Sequence, residues 1–217
     1  MEGPAIKTNK DIIVVSGSSG LIGTTLINEL SKKYLVIGLD NIGYPFPPIT
    51  AECVCIDITS DKSMENAFER IRFAYGNRIA SVIHLAAYYD FSGEPSPLYQ
   101  KITLEGTERL LKVLQGFEVE QFIFSSSLLV YKPTTPGVKI DEDSPVEPKW
   151  DYPQSKVDTE KILHNKKGDI LKFLSKKDSF FKKTRNFIKN MYFYKKKGPI
   201  HLIFTKNKPR DPRHSVF

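Results

Sequence analysis

Residues 11–23 read DIIVVSGSSGLIG. Ile12, Ile13, Val14 and Val15 form a β-branched apolar run, the pattern of a strand buried on both faces. The run ends at Gly17 and turns through Ser18, Ser19 and Gly20 into LIGTTLINELSKK (21–33). There Leu21, Ile22, Leu26, Ile27 and Leu30 recur at helical spacing, and Lys32 and Lys33 are expected in the last turn, where cations suit the helix dipole. A glycine-spaced turn between a strand and a helix is the setting of a dinucleotide-phosphate loop. Gly17 suits the tight turn, Gly20 lets a pyrophosphate approach the backbone, and Gly23 suits close packing of the helix. Ser19, Leu21 and Ile22 join the glycines as candidate contacts, because a helix N-terminus offers free N–H groups to an anion. A glycine-rich turn without a ligand would share this spacing.

Strand and helix signals alternate outward from this loop. YLVIGLD (34–40) reads as a second strand, followed by a Pro-rich loop, NIGYPFPPIT. AECVCID (51–57) reads as a third strand, and DKSMENAFERIRFAYG (61–76) as a helix with Asp61 as its N-cap and Gly76 as its stop. ASVIHLAA (80–87), a helix over 97–116, VEQFIFSSS (119–127), a polar loop over about 132–150 and a helix over 152–167 complete the series. Such alternation predicts βαβ units in an α/β, doubly wound parallel sheet.

Asp40 ends the second strand, 20 residues after Gly20. An acid there can accept hydrogen bonds from ribose hydroxyls, whereas a 2′-phosphate would meet like charge, so NAD is expected rather than NADP. A strand-end Asp that only caps its own backbone is the alternative. Tyr152 and Lys156 form YxxxK at a helix start, which places both side chains on one face. An ammonium about 4 Å from a phenol is worth roughly 4 kcal/mol at an effective dielectric near 20. The expectation is a tyrosine pKa brought from about 10 toward 7, where acid–base work is efficient. Ser125, Ser126 and Ser127 close the fifth strand, at the sheet edge where open α/β folds bind ligands.

Gly17, Gly20, Gly23, Asp40, HLAA (84–87), FSSSLLVY (124–131) and YPQSK (152–156) occur in an order that resembles the extended, epimerase/dehydratase-like short-chain dehydrogenase/reductases. The resemblance covers about residues 11–165. It implies a Rossmann fold and an NAD-dependent oxidoreductase, epimerase or dehydratase acting on a hydroxyl or carbonyl of a nucleotide-sugar or sterol-like small molecule. It also implies roles. Ser127 would polarise the substrate oxygen, Tyr152 would exchange the proton, and Lys156 would hold the nicotinamide ribose. Asp57 and Ile58 match the stretch that touches adenine. Leu85, Ala86 and Ala87 match backbone lining the cofactor, Ser125 belongs to the same lining, and His84 reads as structural. One departure is Thr103, where the family usually has Asn, so support from that position is weakened.

Composition bounds the remainder. The chain has 217 residues, 40% hydrophobic and 26% charged, which excludes wholesale disorder, collagen and coiled coil. No apolar run reaches a membrane-spanning length, and MEGPAIKTNK lacks a signal-type apolar core, so a cytoplasmic location is expected. Cys53 and Cys55 are expected as reduced, buried thiols on one face of the third strand, with no metal site. The net charge is +7, yet residues 166–217 hold 16 Lys and Arg against 3 acids, leaving the preceding body mildly acidic. The sequence thus divides into an NAD-binding domain over 1–168 and a Lys- and Phe-rich basic tail over 169–217, where the family pattern stops. The Lys, Phe, Ile, Asn and Tyr that dominate the tail are encoded by A/T-rich codons, which suits an unselected reading frame. A basic nucleic-acid or lipid arm and a divergent folded element are the other readings; no specific nucleic-acid partner is expected, and a homodimer is. If the tail fails to replace the missing half of the fold, a catalytically impaired NAD-binding remnant results.

Overall fold

Buried apolar runs and amphipathic segments alternate along the chain and set the element order. The computed structural model describes residues 10–41, 51–90, 92–135, 137–141, 143–170, 191–194 and 200–204. The elements are β1 (Ile12–Ser16), α1 (Leu21–Leu30), β2 (Leu35–Asp40), β3 (Glu52–Cys55), α2 (Asp61–Tyr75), β4 (Arg78–Ile79) and β5 (Ser81–His84). A π-helical turn (Tyr99–Leu104) then runs into α3 (Glu105–Leu114), followed by β6 (Glu118–Val119) and β7 (Phe122–Ser125). A 3₁₀ turn (Leu128–Val130), α4 (Asp151–Ile170), β8 (Met191–Tyr194) and β9 (Ile200–Phe204) follow. The Pro-rich segment 42–50 lies outside the described residues.

The main sheet has the order β3-β2-β1-β5-β7-β9-β8, parallel except where β8 meets β9. β1 lies inside the sheet and every one of its residues is buried. Its alternate side chains feed two cores. Ile12 and Val14 pack with α2, α3 and α4 residues such as Phe68, Leu110 and Leu163. Ile13 and Val15 pack with Leu26, Ile27 and Leu30 of α1. Helices therefore cover both faces, as a parallel sheet requires. The chain moves outward from β1 through β2 to β3, then returns to β5 on the other side of β1. That reversal opens a crevice at the carboxyl ends of β1 and β5, where such sheets bind ligands.

Several expectations are corrected. Ser60, not Asp61, caps α2, its hydroxyl accepting from the Ser63 N–H. Asp61 begins the helix and pairs instead with Lys112 and Arg109 of α3. α1 ends at Leu30, so Lys32 and Lys33 lie in the turn beyond it. Cys53 and Cys55 do share a face, but both are exposed, because β3 is the sheet edge and one of its faces is left open. The long helix expected over 97–116 opens as a π-turn. α4 continues past the expected end at residue 167 to Ile170. Two stretches of the basic tail form strands. β9 pairs with Ile123–Ser125 of β7 in the position a sixth strand takes in this topology, and β8 adds to it as an antiparallel edge.

Candidate active site and cofactor cleft

The glycine loop sits at the crevice. Gly17 has φ +73°, in the left-handed region that glycine adopts without strain. A Cβ there would stand 2.8 Å from the Ala86 backbone nitrogen, so β1 and the segment after β5 approach this closely only with glycine. A Cβ on Gly23 would lie 2.2 Å from the Gly17 carbonyl oxygen. Gly23 therefore serves packing of α1 onto the loop itself. Gly20 is different, since a Cβ there would meet only the Gly17 oxygen, at 3.5 Å. Among described groups nothing crowds Gly20, which fits a position kept small for an approaching ligand. Gly20 is also the N-cap residue of α1 and offers no side-chain cap. The N-terminal N–H groups of α1 are thus suited to a pyrophosphate, and Leu21 is highly exposed beside them while Ile22 is partly buried.

Asp40 does two things at the end of β2. One carboxylate oxygen accepts the Ser19 N–H at 2.8 Å, and the other accepts the Asn41 N–H at 2.8 Å. The acid braces the glycine loop as well as facing the crevice end of β2. Each oxygen retains a lone pair for a hydroxyl. Asp57 follows β3 and is exposed, with one oxygen accepting from the Thr59 N–H and hydroxyl. Those bonds hold its carboxyl below the ordinary value. Ile58 is buried and packs against Gly106, where a Cβ would come within 3.0 Å. Its side chain belongs to the core. Leu85, Ala86 and Ala87 are half-buried behind β5. The Leu85 N–H bonds the Ser16 carbonyl and the Ala86 N–H bonds the Ser16 hydroxyl. The residues thus fit a dinucleotide along α1, Asp40 and the end of β5.

Ser125, Ser127, Tyr152 and Lys156 converge where β7 meets α4. Ser127 caps the 3₁₀ turn, its oxygen accepting the Leu129 N–H at 3.2 Å, and its hydroxyl stands toward Tyr152, where it favours the phenolate. Lys156 is buried, its ammonium donating to the Ser125 carbonyl at 3.0 Å and lying 5.7 Å from the Tyr152 ring centroid. Burial depresses Lys156 to about 8, with the Glu160 carboxylate opposing the shift. The expected lowering of the Tyr152 pKa is not found. Burial pushes the phenol up, offset only in part by Ser127. The neighbouring Tyr89 and Tyr99 add to the rise.

Three features escaped the sequence reading. Ser126 donates to the Glu160 carboxylate, tying the end of β7 to α4 one turn beyond Lys156. His84 is part of a buried relay of hydrogen bonds. Thr107 donates to the Thr103 carbonyl at 2.5 Å, so it accepts from His84 Nε2 at 2.9 Å. His84 Nδ1 then accepts from Ser16 at 2.6 Å. The Thr103 hydroxyl accepts the Tyr88 N–H at 3.0 Å, so this position does support backbone. Third, Tyr88, Tyr89 and Tyr99 gather around Tyr152, with Tyr89 and Tyr152 centroids 5.0 Å apart. The signal for this cluster was the Tyr88-Tyr89 pair directly after Ala87. Among the described residues no group of three or more His, Cys, Asp or Glu is placed to hold a metal ion. Nor is any described helix long and apolar enough to cross a membrane.

Comparison with known proteins places this geometry. The model of the NAD dependent epimerase/dehydratase family matches residues 13–172. A UDP-glucose 4-epimerase of Dictyostelium discoideum is 32% identical over 170 residues, covering 71% of this chain and 47% of the relative. A sterol-4-alpha-carboxylate 3-dehydrogenase of Candida albicans is 23% identical over 157 residues, covering 67% of this chain and 41% of the relative. The structure of a Thermus thermophilus UDP-glucose 4-epimerase in complex with NAD superposes with a TM-score of 0.65 at 25% identity. It covers 73% of this chain and 51% of that one. The chain spans about half the length of the curated relatives it matches.

Proposed function

The chain belongs to the NAD dependent epimerase/dehydratase family, and from that premise we propose that it moves a hydride and a proton at a secondary hydroxyl or carbonyl of a nucleotide-sugar or sterol-like substrate. The observation that carries this reading is the buried Lys156, whose ammonium lies 5.7 Å from the Tyr152 ring centroid and bonds the Ser125 carbonyl at the carboxyl edge of the sheet. NAD, when bound, supplies the acceptor and donor of hydride. The glycine loop, the α1 N-terminus and Asp40 would hold its phosphates and ribose, with Asp57, Ile58 and Leu85–Ala87 along the adenine side. We assign all of this to a unit over residues 1–168, and to the tail over 169–217 no part in the site.

The residues then divide the work. Ser127 already accepts from the Leu129 N–H, so its own proton is available for donation to a substrate oxygen. Tyr152 Oη takes the proton from a substrate hydroxyl or returns it to a carbonyl. A phenol held high by burial favours the protonated, donating form. Lys156, poised near 8, changes charge at little cost and stabilises the phenolate when it forms. Tyr99, buried in the π-turn, and Tyr89 cover the phenol ring on one side.

The test is NADH formation by the full chain with UDP-glucose and with a 3β-hydroxysteroid, in the wild type and in Tyr152→Phe. Turnover should fall at least about 100-fold in the variant, while NAD affinity stays within about twofold of wild type. Equal turnover in the two proteins would remove Tyr152 from its role. Tight NAD binding without turnover on either probe favours the remnant reading instead.

A further inference from the structure

Lys156 brings an ammonium into the interior, where only 3% of its surface is open. Two turns further along α4, Leu163 is part of the main core, and Phe122 and Phe124 on one face of β7 belong to the same cluster. The ammonium has three N–H donors, and one is spent on the Ser125 carbonyl at 3.0 Å. Apolar neighbours alone would favour loss of its proton, because burial penalises the charged form. Two aromatic faces stand close to it. The Phe124 centroid lies 4.9 Å from Nζ and the Tyr152 centroid 5.7 Å. Phe124, the nearer, is itself fully buried. An electron-rich ring face attracts a cation within about 6 Å of its centroid, most strongly where water is excluded.

The charged and titratable groups around the ammonium come from three elements. On α4, the Glu160 carboxylate one turn on favours its charge. Tyr152, one turn back, is pushed up by burial, and so is Tyr99 of the π-turn, 6.4 Å from the Tyr152 ring. Both phenols therefore stay neutral near pH 8. From β5, the His84 ring lies 5.9 Å from the Phe124 ring, and burial first, then the Lys156 charge, pushes it down to about 3. The imidazole is neutral wherever Lys156 titrates, which leaves the Phe124 face to one cation. Core filling asks only for apolar volume, and a leucine would meet it. Holding a cation asks for the ring's π electrons. We propose that Phe124 is a positioning residue for the reaction: its ring face holds the Lys156 side chain as a cation beside Tyr152, where the charge can stabilise the phenolate. The inference rests on the roles of Tyr152 and Lys156 given above.

The experiment replaces Phe124 in the full chain by mono-, di- and trifluorinated phenylalanine. Fluorine withdraws electrons from the ring face and nearly preserves its shape, so a merely structural role would not respond. The Lys156 titration is followed by NMR of lysine labelled at the ε-carbon, its signal assigned by its loss in Lys156→Met. Burial sets the wild-type midpoint to about 8. The midpoint should fall stepwise with each fluorine, by about 1 pH unit for the trifluorinated ring. Phe124→Leu should lower it as far. The same series at Phe122, two residues earlier on the same strand face, should leave it in place. With NAD and either UDP-glucose or a 3β-hydroxysteroid, the alkaline limb of turnover should move down with the midpoint, since the charged lysine is the form that holds the phenolate. An unmoved midpoint in the Phe124 series, or an equal fall in the Phe122 series, overturns the proposal. A midpoint that falls while the alkaline limb stays fixed overturns its link to Tyr152. Absence of turnover in the wild type counts against the underlying reading, and the titration, which needs no substrate, still decides whether Phe124 holds the cation.

Discussion

His84 is fully buried between Ser16 and Thr107, and burial first, then the Lys156 charge, pushes it down to about 3 from an ordinary value of 6.5. Between those two values the unfolded chain binds a proton that the folded chain refuses. The contribution is fully present above about pH 6.5 and is lost as the pH falls below it, on the order of 1.4 kcal/mol per unit. An acid titration of the thermal midpoint from about pH 7 to pH 5 checks this. His84→Asn, whose amide can still donate and accept, should flatten the acid limb. Equal slopes in the two proteins would show that the imidazole is not the group titrating. Residue type alone left His84 open to either a base or a structural part. The partners decide it, because both ring nitrogens are committed to the buried hydroxyls of Ser16 and Thr107.

At the scale of elements, the glycine loop was legible because its requirements are local. Gly17 needs a positive φ, and Gly23 needs room against a carbonyl one turn back in the same loop. Gly23→Ala would place a Cβ 2.2 Å from the Gly17 oxygen. Relief of that clash by loop movement should cost about 1–3 kcal/mol. The thermal midpoint should fall and NAD affinity should drop about tenfold or more. Unchanged NAD affinity in Gly23→Ala would separate the loop from the cofactor. What depends on a distant segment was not legible. The exposure of Cys53 and Cys55 follows from β3 being an edge strand, which only the sheet order reveals. The rise of the Tyr152 pKa comes from burial of its ring, and helix spacing gives the face that the ring lies on without giving its burial. The Ser60 cap was one residue from the expected Asp61, an ordinary ambiguity when two capping residues adjoin. The tyrosine cluster joins residues 88, 89, 99 and 152 through a π-turn that no periodicity announces.

For the whole molecule, the crevice is bordered by β1, β2, β5 and their following loops, while β9 pairs with the far side of β7. Ending the chain after Ile170 would remove β8 and β9 and leave the Ile123–Ser125 edge unpaired. The thermal midpoint should then fall by several degrees, about 4 °C per kcal/mol lost, with NAD affinity unchanged. An unchanged midpoint would mean that the tail adds nothing to the sheet in solution, as an unselected segment would. The central claim is that a dinucleotide lies on the glycine loop with its ribose at Asp40. Calorimetric titration of the full chain with NAD and with NADP, in the wild type and in Asp40→Ala, tests it most directly. NAD should bind the wild type about tenfold or more tightly than NADP, and the gap should narrow in Asp40→Ala. Equal affinities in the wild type, or no binding of NAD at all, would contradict it.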